Sequence, residues 1–512
     1  MFFLFAIGCS VQVKQIDTDV PQAQDTAGSS AQEPTSEPQT PVDTAVEEPS
    51  SPTSEPSQDS GPTPETCYQE NRVDANTLLP DEPSFGISES TTVDGFTDDY
   101  LYDASNYIKV GVRREWGGSI VFFGLADGSV GMNDTNTIDA NDTGREVQVA
   151  FYDPDRVRQG CAHNASCATA LDSACPNSIT YLGWNPVQGG NRCNNGSPIS
   201  NISNQNGRLD LSVQPLHWNP NWNDTDCDSS GCSDTNLAYL QSDVQVGQRL
   251  RFVRTHVVEL QYTLTELAGL DHARNLQELP TLYSAIGNLG PDLWRLMDAN
   301  GNQIDINIPA NDGFFYKNFT SSAPWTTLQN EDLSYGVGIL YENGLQEFQG
   351  WQNRSLPFNN VRSLIQFGIP AYSTIHARAY LILGSFGTIQ GEATVLMNIL
   401  PPFGSLDNPA HNSTTNGTSV TIRGWALDNK GVQTVEAIID DTHTVPLQYG
   451  IARPDVCIAW PGYPQCEQVG YEATVDLSFL PTAPDCAHQI EIIATDTDGN
   501  SRVIARELFY LP

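Results

Sequence analysis

An acid, a base and a cation stand out among the residues that could do chemistry. His256 can exchange a proton near neutral pH, Glu278 supplies a carboxylate, and Arg145 can hold a carboxylate or an oxyanion. Lysis, epimerisation or hydrolysis of a sugar requires an acid and a base at sugar distance. His256, Glu278 and Arg145 are therefore the candidate catalytic residues. His217 and His272 could replace His256.

Each candidate also has a structural interpretation. His256 lies in the run RFVRTHVVELQY, which is predicted as strand, and could be a buried core imidazole. Asp142 and Arg145 occupy an Asp-x-Gly-Arg turn in which the two charges can meet. Glu278 could cap a short helix predicted over residues 280–286.

A second set of residues has the chemistry of sugar recognition. Flat indole faces pack against the C–H surfaces of sugars, and planar amides make paired hydrogen bonds to hydroxyls. Glycine-flanked loops carry such groups, and the candidate substrate-binding residues are Trp184, Asn185, Gln188, His217 and Trp218. The alternative is that the tryptophans are core aromatics and the amides cap loop backbone.

The elements that must position these residues are strands. Short β-branched or aromatic runs bounded by Gly, Asn, Asp or Pro recur after residue 75, and helical periodicity is scarce. The predicted strands are residues 107–112, 119–123, 146–152, 209–213, 250–264, 336–341 and 377–383. This pattern predicts an all-β fold with a large β-sandwich domain over residues 71–400.

A break at Leu400-Pro401-Pro402 precedes about seven alternating strands over residues 401–512. Three motifs mark this segment: the strand GWALD from Gly424, the loop RPDV from Arg453 and the hairpin ATD…GN from Ala494. The segment resembles the bacterial Ig-like domains of secreted proteins. The resemblance implies that Trp425 lies in the inter-sheet core and that Cys457 and Cys466 form a disulfide.

The large domain carries the motifs EWGG from Glu115, DTGR from Asp142 and GWNPVQGG from Gly183. They resemble motifs of uncharacterised secreted bacterial β-sandwich proteins. More distantly, a strand opened by a Trp-Gly-Gly turn is similar to the galactose-mutarotase-like fold of sugar epimerases and polysaccharide lyases. This resemblance implies a carbohydrate-related function by analogy of fold.

The amino terminus, MFFLFAIGCS, resembles the lipobox of a bacterial lipoprotein signal peptide ending at Cys9, although its basic region is missing and its apolar run is short. Residues 10–70 are rich in Pro, Ser, Thr and acidic residues, with no Lys or Arg between Lys14 and Arg72, so we expect a disordered spacer. The implied location is the outer membrane or cell surface, with a lipid anchor as the membrane contact.

Charge, cysteines and missing motifs limit the alternatives. The net charge of -38 disfavours nucleic-acid binding. The ten cysteines other than Cys9 are an even number, which favours disulfides in an oxidising compartment, and they show no zinc spacing, so no metal site or cofactor is predicted. A structural calcium ion remains an alternative at Asp224, Asp226 and Asp228, although the loop lacks the EF-hand glycine. We find no nucleophile elbow, HExxH, Walker loop or dinucleotide fingerprint.

Two hypotheses follow from these observations. The first is a surface-anchored lipoprotein whose large domain binds or processes an extracellular polysaccharide or cell-surface glycan. The second is a non-catalytic envelope or adhesion protein, for which the spacer and the terminal module are sufficient.

Overall fold

The structure is a computed structural model that describes residues 88–128, 135–153, 184–191, 194–218, 240–306, 308–309, 315–342, 344–369, 371–410, 413–415, 417–460, 463–480 and 487–512. The predicted signal peptide, Cys9, the spacer and the loop with Asp224, Asp226 and Asp228 lie outside these residues. So do all cysteines except Cys457 and Cys466.

The described chain is nearly all β, as predicted. Its first strands are β1 (Ser88–Val93), β2 (Phe96–Tyr102), β3 (Ile108–Arg113), β4 (Ile120–Leu125), β5 (Val147–Ala150), β6 (Pro186–Val187), β7 (Ile199–Gln205), β8 (Arg208–Val213) and β9 (Leu216–His217). A 3-10 turn, Arg114–Trp116, joins β3 to β4.

The strands that follow are β10 (Val244–Arg254), β11 (Val257–Glu266), β12 (His272–Leu276), β13 (Glu278–Tyr283), β14 (Arg295–Asp298), β15 (Ile308–Pro309), β16 (Phe315–Thr320), β17 (Trp325–Gln329), β18 (Gly336–Tyr341), β19 (Glu347–Asn353), β20 (Phe358–Ser363), β21 (Gln366–Ile369) and β22 (Thr374–Leu383). Helix α1 (Phe386–Ile399) comes next.

Two sheets form the large sandwich. A twelve-stranded sheet has the order β1-β2-β3-β4-β5-β13-β20-β19-β16-β15, with β6 and β9 added beside β5. An eight-stranded sheet has the order β14-β17-β18-β22-β11-β10-β8-β7, and β12 pairs separately with β21. The core between the sheets is apolar, and its aliphatic members include Val149, Leu282 and Val361 from the first sheet and Leu260, Ile339 and Leu381 from the second. Burial of such side chains is the main source of stability.

Two sequence-based element predictions are wrong. Residues 280–286 do not form a helix, because Leu282 is a core residue of β13 and pairs with Val361 of β20. Residues 250–264 are not one strand but a hairpin, β10 and β11, whose turn contains His256. Apolar residues alternate along both strands of the hairpin, so the sequence pattern does not indicate the turn between them.

Helix α1 was not predicted from sequence. Ser385 caps it by accepting a hydrogen bond from the backbone N–H of Thr388 at 3.2 Å. Ile389 and Ala393 pack against Tyr380 and Ile382, so the helix covers the outer face of the eight-stranded sheet. Among the described residues, no helix has both the length and the apolar character needed to cross a bilayer.

The carboxy-terminal segment forms a separate sheet with its own core. Its elements are β23 (Phe403–Asn408), β24 (Ser413–Thr414), β25 (Ser419–Leu427), β26 (Val432–Ile439), β27 (His443–Ile451), helix α2 (Pro454–Ala459), β28 (Gly470–Asp476), β29 (Ala487–Asp496) and β30 (Ser501–Tyr510). The strands pair in the order β23-β25-β28-β27-β26-β29-β30-β24. Core residues include Ile422, Val435, Ile439, Ile490 and Ile492.

Trp425 does not lie in that core. Its neighbours Gly424 and Ala426 are buried, and because strand residues alternate between faces, Trp425 points away from the core. It is half-buried in an aromatic cluster with Phe403 and Trp460. The expectation that Trp425 packs between the sheets is therefore wrong.

The carboxy-terminal sheet contacts the large sandwich directly. The hydroxyl of Tyr463 donates a hydrogen bond to the carbonyl of Gly344 at 2.8 Å. Arg502 of β30 forms an ion pair with Glu342, which follows β18, and both side chains are buried. A cleft of about 210 Å³ lies along this junction, lined in part by Glu342 and Tyr463.

Candidate functional site

The outer face of the twelve-stranded sheet carries a continuous row of polar side chains, which we call the polar row. Glu278 of β13 forms an ion pair with Arg362 of β20. Arg362 Nη2 donates to Gln349 Oε1 of β19 at 2.9 Å, and Gln349 Nε2 donates to Asn318 Oδ1 of β16 at 2.8 Å. The row therefore crosses four neighbouring strands through direct side-chain contacts.

Strand alternation explains why these residues share a face. Leu279, Val361, Phe348 and Phe319 point into the sandwich core, and each directly precedes or follows a residue of the polar row in sequence. Every second position along the same strands must then point outward. The polar row is buried at Glu278, which is 6% exposed, and half-buried at Asn318. One end of the row is therefore more accessible than the other.

Aromatic side chains flank the polar row. Tyr316 of β16 stacks on Trp351 of β19 with ring centroids 4.9 Å apart. At the other end, the Tyr152 hydroxyl donates to Glu278 Oε1 at 3.2 Å, and half-buried Trp218 packs in a small cluster with Tyr152. Polar groups between aromatic rings are the chemistry that binds sugars.

Two buried acids lie beside β5. Burial, with Asp142 nearby and against the charge of Arg145, raises the pKa of Asp139 to about 8. Burial and the neighbouring carboxylates raise the pKa of Glu146 well above its usual value. Neither carboxylate oxygen of Glu146 has a hydrogen-bond partner among the described residues. The raised pKa values favour the neutral, protonated form of both acids.

The predicted catalytic residues do not converge. His256 lies in the β10–β11 turn, and its Nδ1 is 3.0 Å from the carbonyl oxygen of Leu383. Glu278 lies on the other sheet, bonded to Arg362 and Tyr152. The structure does not bring His256 and Glu278 into contact.

Arg145 pairs with Asp142 in the DTGR turn, which is the structural alternative that the sequence indicated for this residue. Its Nε lies 3.5 Å from Asp142, and its Nη1 donates to the carbonyl of Pro357 at 3.0 Å. A side chain at Gly144, between the two charges, would collide with the ring of Trp218. The DTGR turn thus packs Trp218 and anchors Arg145 to the loop before β20.

Two of the five predicted sugar-binding residues lie inside the sandwich. Trp184 is 1% exposed and stacks on Phe151. Gln188 is fully buried and donates to Gln248 Oε1 of the opposite sheet at 2.6 Å. These two side chains hold the core together and do not present a surface.

The other three occupy β6, β9 and their flanks. Asn185 is buried, its carbonyl accepts from the backbone N–H of Trp218 at 3.0 Å, and its side-chain oxygen has no partner among the described residues. His217 is buried, and its backbone N–H donates to the carbonyl of Leu240 at 2.9 Å. Trp218 and Glu278 share the outer face of the twelve-stranded sheet. Of the sequence candidates, these two lie on the face that carries the polar row.

Arg362, Gln349, Asn318 and the Tyr316–Trp351 stack were not identified from sequence. A signal was present, because the strands FYKNFT, EFQGWQN and FNNVRS place polar or aromatic residues at alternate positions. In an antiparallel sheet the outward-facing residues of such an alternation are normally polar because they face solvent. The pattern alone therefore does not mark them as a binding site.

His272 has the most highly charged surroundings of the buried histidines described. Its Nδ1 is 3.1 Å from Asp153 Oδ2, and its Nε2 is 3.0 Å from Asp243 Oδ2. Burial alone lowers the pKa, but the hydrogen bonds to both carboxylates raise the pKa of His272 to about 9. Trp184 stacks on the imidazole with ring centroids 3.8 Å apart.

Comparison with known proteins gives one family match. Residues 402–458 match the model of a bacterial Ig domain. The Ig-like expectation for the carboxy-terminal segment is thus confirmed, and its Cys457–Cys466 disulfide is present. No curated protein matches the chain.

Three solved structures are similar to this chain. A putative aldose 1-epimerase from Klebsiella pneumoniae is 11% identical, with a TM-score of 0.34, covering 61% of this chain and 87% of its own. A polysaccharide lyase is 6% identical, with a TM-score of 0.30, covering 82% of this chain and 47% of its own length. A heparan sulfate lyase mutant from Pedobacter heparinus is 6% identical, with a TM-score of 0.22. The match covers 67% of this chain and 40% of the lyase chain. This chain thus spans about half the length of the first lyase.

Proposed function

We propose that the outer face of the twelve-stranded sheet binds an extracellular glycan. The observation that carries the proposal is the polar row, which runs from buried Glu278 to half-buried Asn318 and ends beside the Tyr316–Trp351 stack. Sugars present hydroxyls at their edges and C–H groups on their faces. The amides and guanidinium of the row suit the hydroxyls, and the aromatic stack suits the C–H groups.

The charge of this face favours neutral sugars. The guanidinium of Arg362 is already balanced by Glu278, and the chain carries a net charge of -38. A long polyanion would meet repulsion that screening reduces only in part. We therefore propose a neutral polysaccharide as ligand, with its hydroxyls bound at half-buried Asn318, which Gln349 holds in place.

If the bound glycan is also processed, Glu278 is the residue we assign to proton transfer. Its hydrogen bond to Tyr152 and its ion pair with Arg362 place three titratable or charged groups in contact. His256, the proton-transfer partner predicted from sequence, does not contact Glu278, Tyr152 or Arg362. We therefore assign Tyr152 as the partner of Glu278.

We also propose that the protein is held at the cell surface by a lipid on Cys9. The support is the lipobox-like start and the acidic spacer of residues 10–70. Since acylation requires the thiol, Cys9→Ser should release the protein from the membrane fraction, and globomycin should cause the precursor to accumulate. Unchanged fractionation of the Cys9→Ser protein would contradict the anchor.

A panel of neutral and uronate-containing polysaccharides tests the glycan proposal. Affinity electrophoresis and calorimetry on the full chain should find binding to at least one neutral polymer. Tyr316→Ala should weaken that binding about tenfold or more, because it removes the more exposed ring of the stack. Tyr107→Ala is the matched control, since Tyr107 is a 56% exposed tyrosine in the β2–β3 turn.

The outcomes separate the two hypotheses. Equal loss of affinity in the Tyr316→Ala and Tyr107→Ala proteins would rule out the polar row as the binding face. If the folded wild-type protein binds no polysaccharide in the panel, the non-catalytic envelope or adhesion function takes its place.

A further inference from the structure

We infer that Asp243, Glu266 and His272 form a binding site for a divalent metal ion, with Zn²⁺ as the best chemical match. One ligand atom from each residue lies within 4.8 Å of the other two. One imidazole nitrogen and two carboxylates are a frequent ligand set of zinc, and three protein ligands leave a fourth tetrahedral position open. The sequence alone predicted no metal site.

The fold brings the two carboxylates together. Asp243 immediately precedes β10 and Glu266 ends β11, and Val244 pairs with Glu266 in that antiparallel ladder. Six residues later, His272 begins β12. The site is thus built on the rigid end of the central hairpin of the eight-stranded sheet.

Asp153 orients the histidine in the way that metal sites require. Its Oδ2 lies 3.1 Å from His272 Nδ1 and also accepts the backbone N–H of Ala273 at 3.1 Å. A histidine that binds a metal through one ring nitrogen usually gives the proton on the other to a carboxylate. Here Nδ1 faces Asp153, so that Nε2 faces Asp243. The Trp184 ring fixes the plane of the imidazole.

Both carboxylates retain oxygen capacity for a ligand. Asp243 Oδ1 is a buried atom without a hydrogen-bond partner among the described residues. Glu266 Oε2 accepts two backbone N–H groups, from Gly269 and Tyr372, whereas Oε1 accepts only that of Ala268. Glu266 can therefore supply an oxygen while it keeps its backbone hydrogen bonds. Asp243 offers its unpartnered Oδ1, and its Oδ2 exchanges the contact with His272 Nε2 for the ion.

Charge balance also favours a cation at this position. Three carboxylates, those of Asp153, Asp243 and Glu266, lie around one imidazole. Because buried negative charge is costly, a divalent cation at this position offsets part of that cost.

The decisive experiment is calorimetric titration of the chelator-treated full chain with Zn²⁺. We expect wild type to bind one more ion than Asp243→Asn, and Asp153→Asn to keep the site with affinity reduced about 10- to 100-fold. His488→Gln is the matched control, because His488 is a buried histidine 2.7 Å from a single carboxylate, Asp440. It should titrate like wild type.

A second measurement keeps the proposal testable if the variants fail to fold. Co²⁺ added to the wild-type protein should give visible d–d bands of tetrahedral coordination without a thiolate charge-transfer band. Octahedral spectra only, a thiolate band alone, or equal stoichiometry in folded wild type and Asp243→Asn would overturn the inference. The glycan proposal rests on different residues, so its failure would leave this one standing.

Discussion

The outer faces of the two sheets of the large sandwich differ in how far their charged and polar side chains are enclosed. On the eight-stranded sheet, Arg251 Nε lies 2.8 Å from Glu259 Oε1, and Arg378 Nε lies 3.7 Å from Glu259 Oε2. All three side chains are buried, and α1 covers the same face. On the twelve-stranded sheet, the polar row ends at half-buried Asn318. The first cluster is closed, whereas the second is open at one end.

The difference separates scaffold from site. In a closed charge cluster each charged group already has an opposite charge beside it within the protein. A ligand would therefore add no favourable contact there. An open row of amides ends in hydrogen-bonding groups that a ligand can complete. Mutations in the two clusters should therefore differ in which quantity they change, stability or binding.

Glu259→Gln should give the largest effect. The substitution leaves Arg251 buried without its counter-charge, and breaking such a pair costs about 3–5 kcal/mol of unfolding free energy. Chemical denaturation measures the loss. Asp210→Asn is the control, because Asp210 pairs with Arg208 and Arg249 at a partly exposed position and should cost under about 1 kcal/mol. Similar losses in both variants would erase the distinction between a closed cluster and an exposed pair.

Glu278→Gln tests the open cluster with the same chemical change. Glycan binding or turnover should fall at least about tenfold. The loss of stability should be smaller than for Glu259→Gln, because Glu278 pairs with one arginine, Arg362, whereas Glu259 faces both Arg251 and Arg378. Calorimetry and denaturation on the same preparation give both values. A Glu278→Gln protein that loses stability but keeps full glycan affinity would make the polar row a second scaffold.

Asp139→Asn tests one of the two buried acids beside β5 through the pH dependence of stability. The raised pKa of Asp139, about 8, means that the native state binds a proton more tightly than the unfolded chain does. Its stabilising contribution is complete below the unfolded pKa of 3.8 and is lost as pH rises towards 8. The Asn variant should therefore be more stable than wild type at pH 9, by about 1–2 kcal/mol. A melting curve with the same pH dependence in both proteins would contradict this assignment.

Asn318→Ala should give the smallest change in stability. Asn318 is half-buried, so the unfolding free energy should change by only about 0.5–1 kcal/mol. Its side chain ends the polar row, and glycan affinity should fall about three- to tenfold. If affinity stays at the wild-type value, the open end of the row does not contact the ligand.

The sequence predicts the fold class because local alternation is enough to identify strands and the terminal Ig domain. It does not predict the site, because the site depends on contacts between distant residues. Glu278 and Arg362 are 84 positions apart, and only the adjacency of β13 and β20 joins them. Glycine-rich flanks made Trp184 and Gln188 look like loop residues. Their burial depends on packing against the second sheet, which a local pattern does not contain.

The junction between the Ig domain and the large sandwich has a consequence for how the chain melts and how it should be cut. Arg502 is buried against Glu342, and the Tyr463 hydroxyl is satisfied by Gly344. If the chain were cut between the large sandwich and the Ig domain, Arg502 would lose its counter-charge and the Tyr463 hydroxyl its acceptor. The aromatic cluster around Phe403 would become more exposed to water. The two parts should accordingly unfold in one calorimetric transition. The Ig domain is therefore a poor place for an expression boundary.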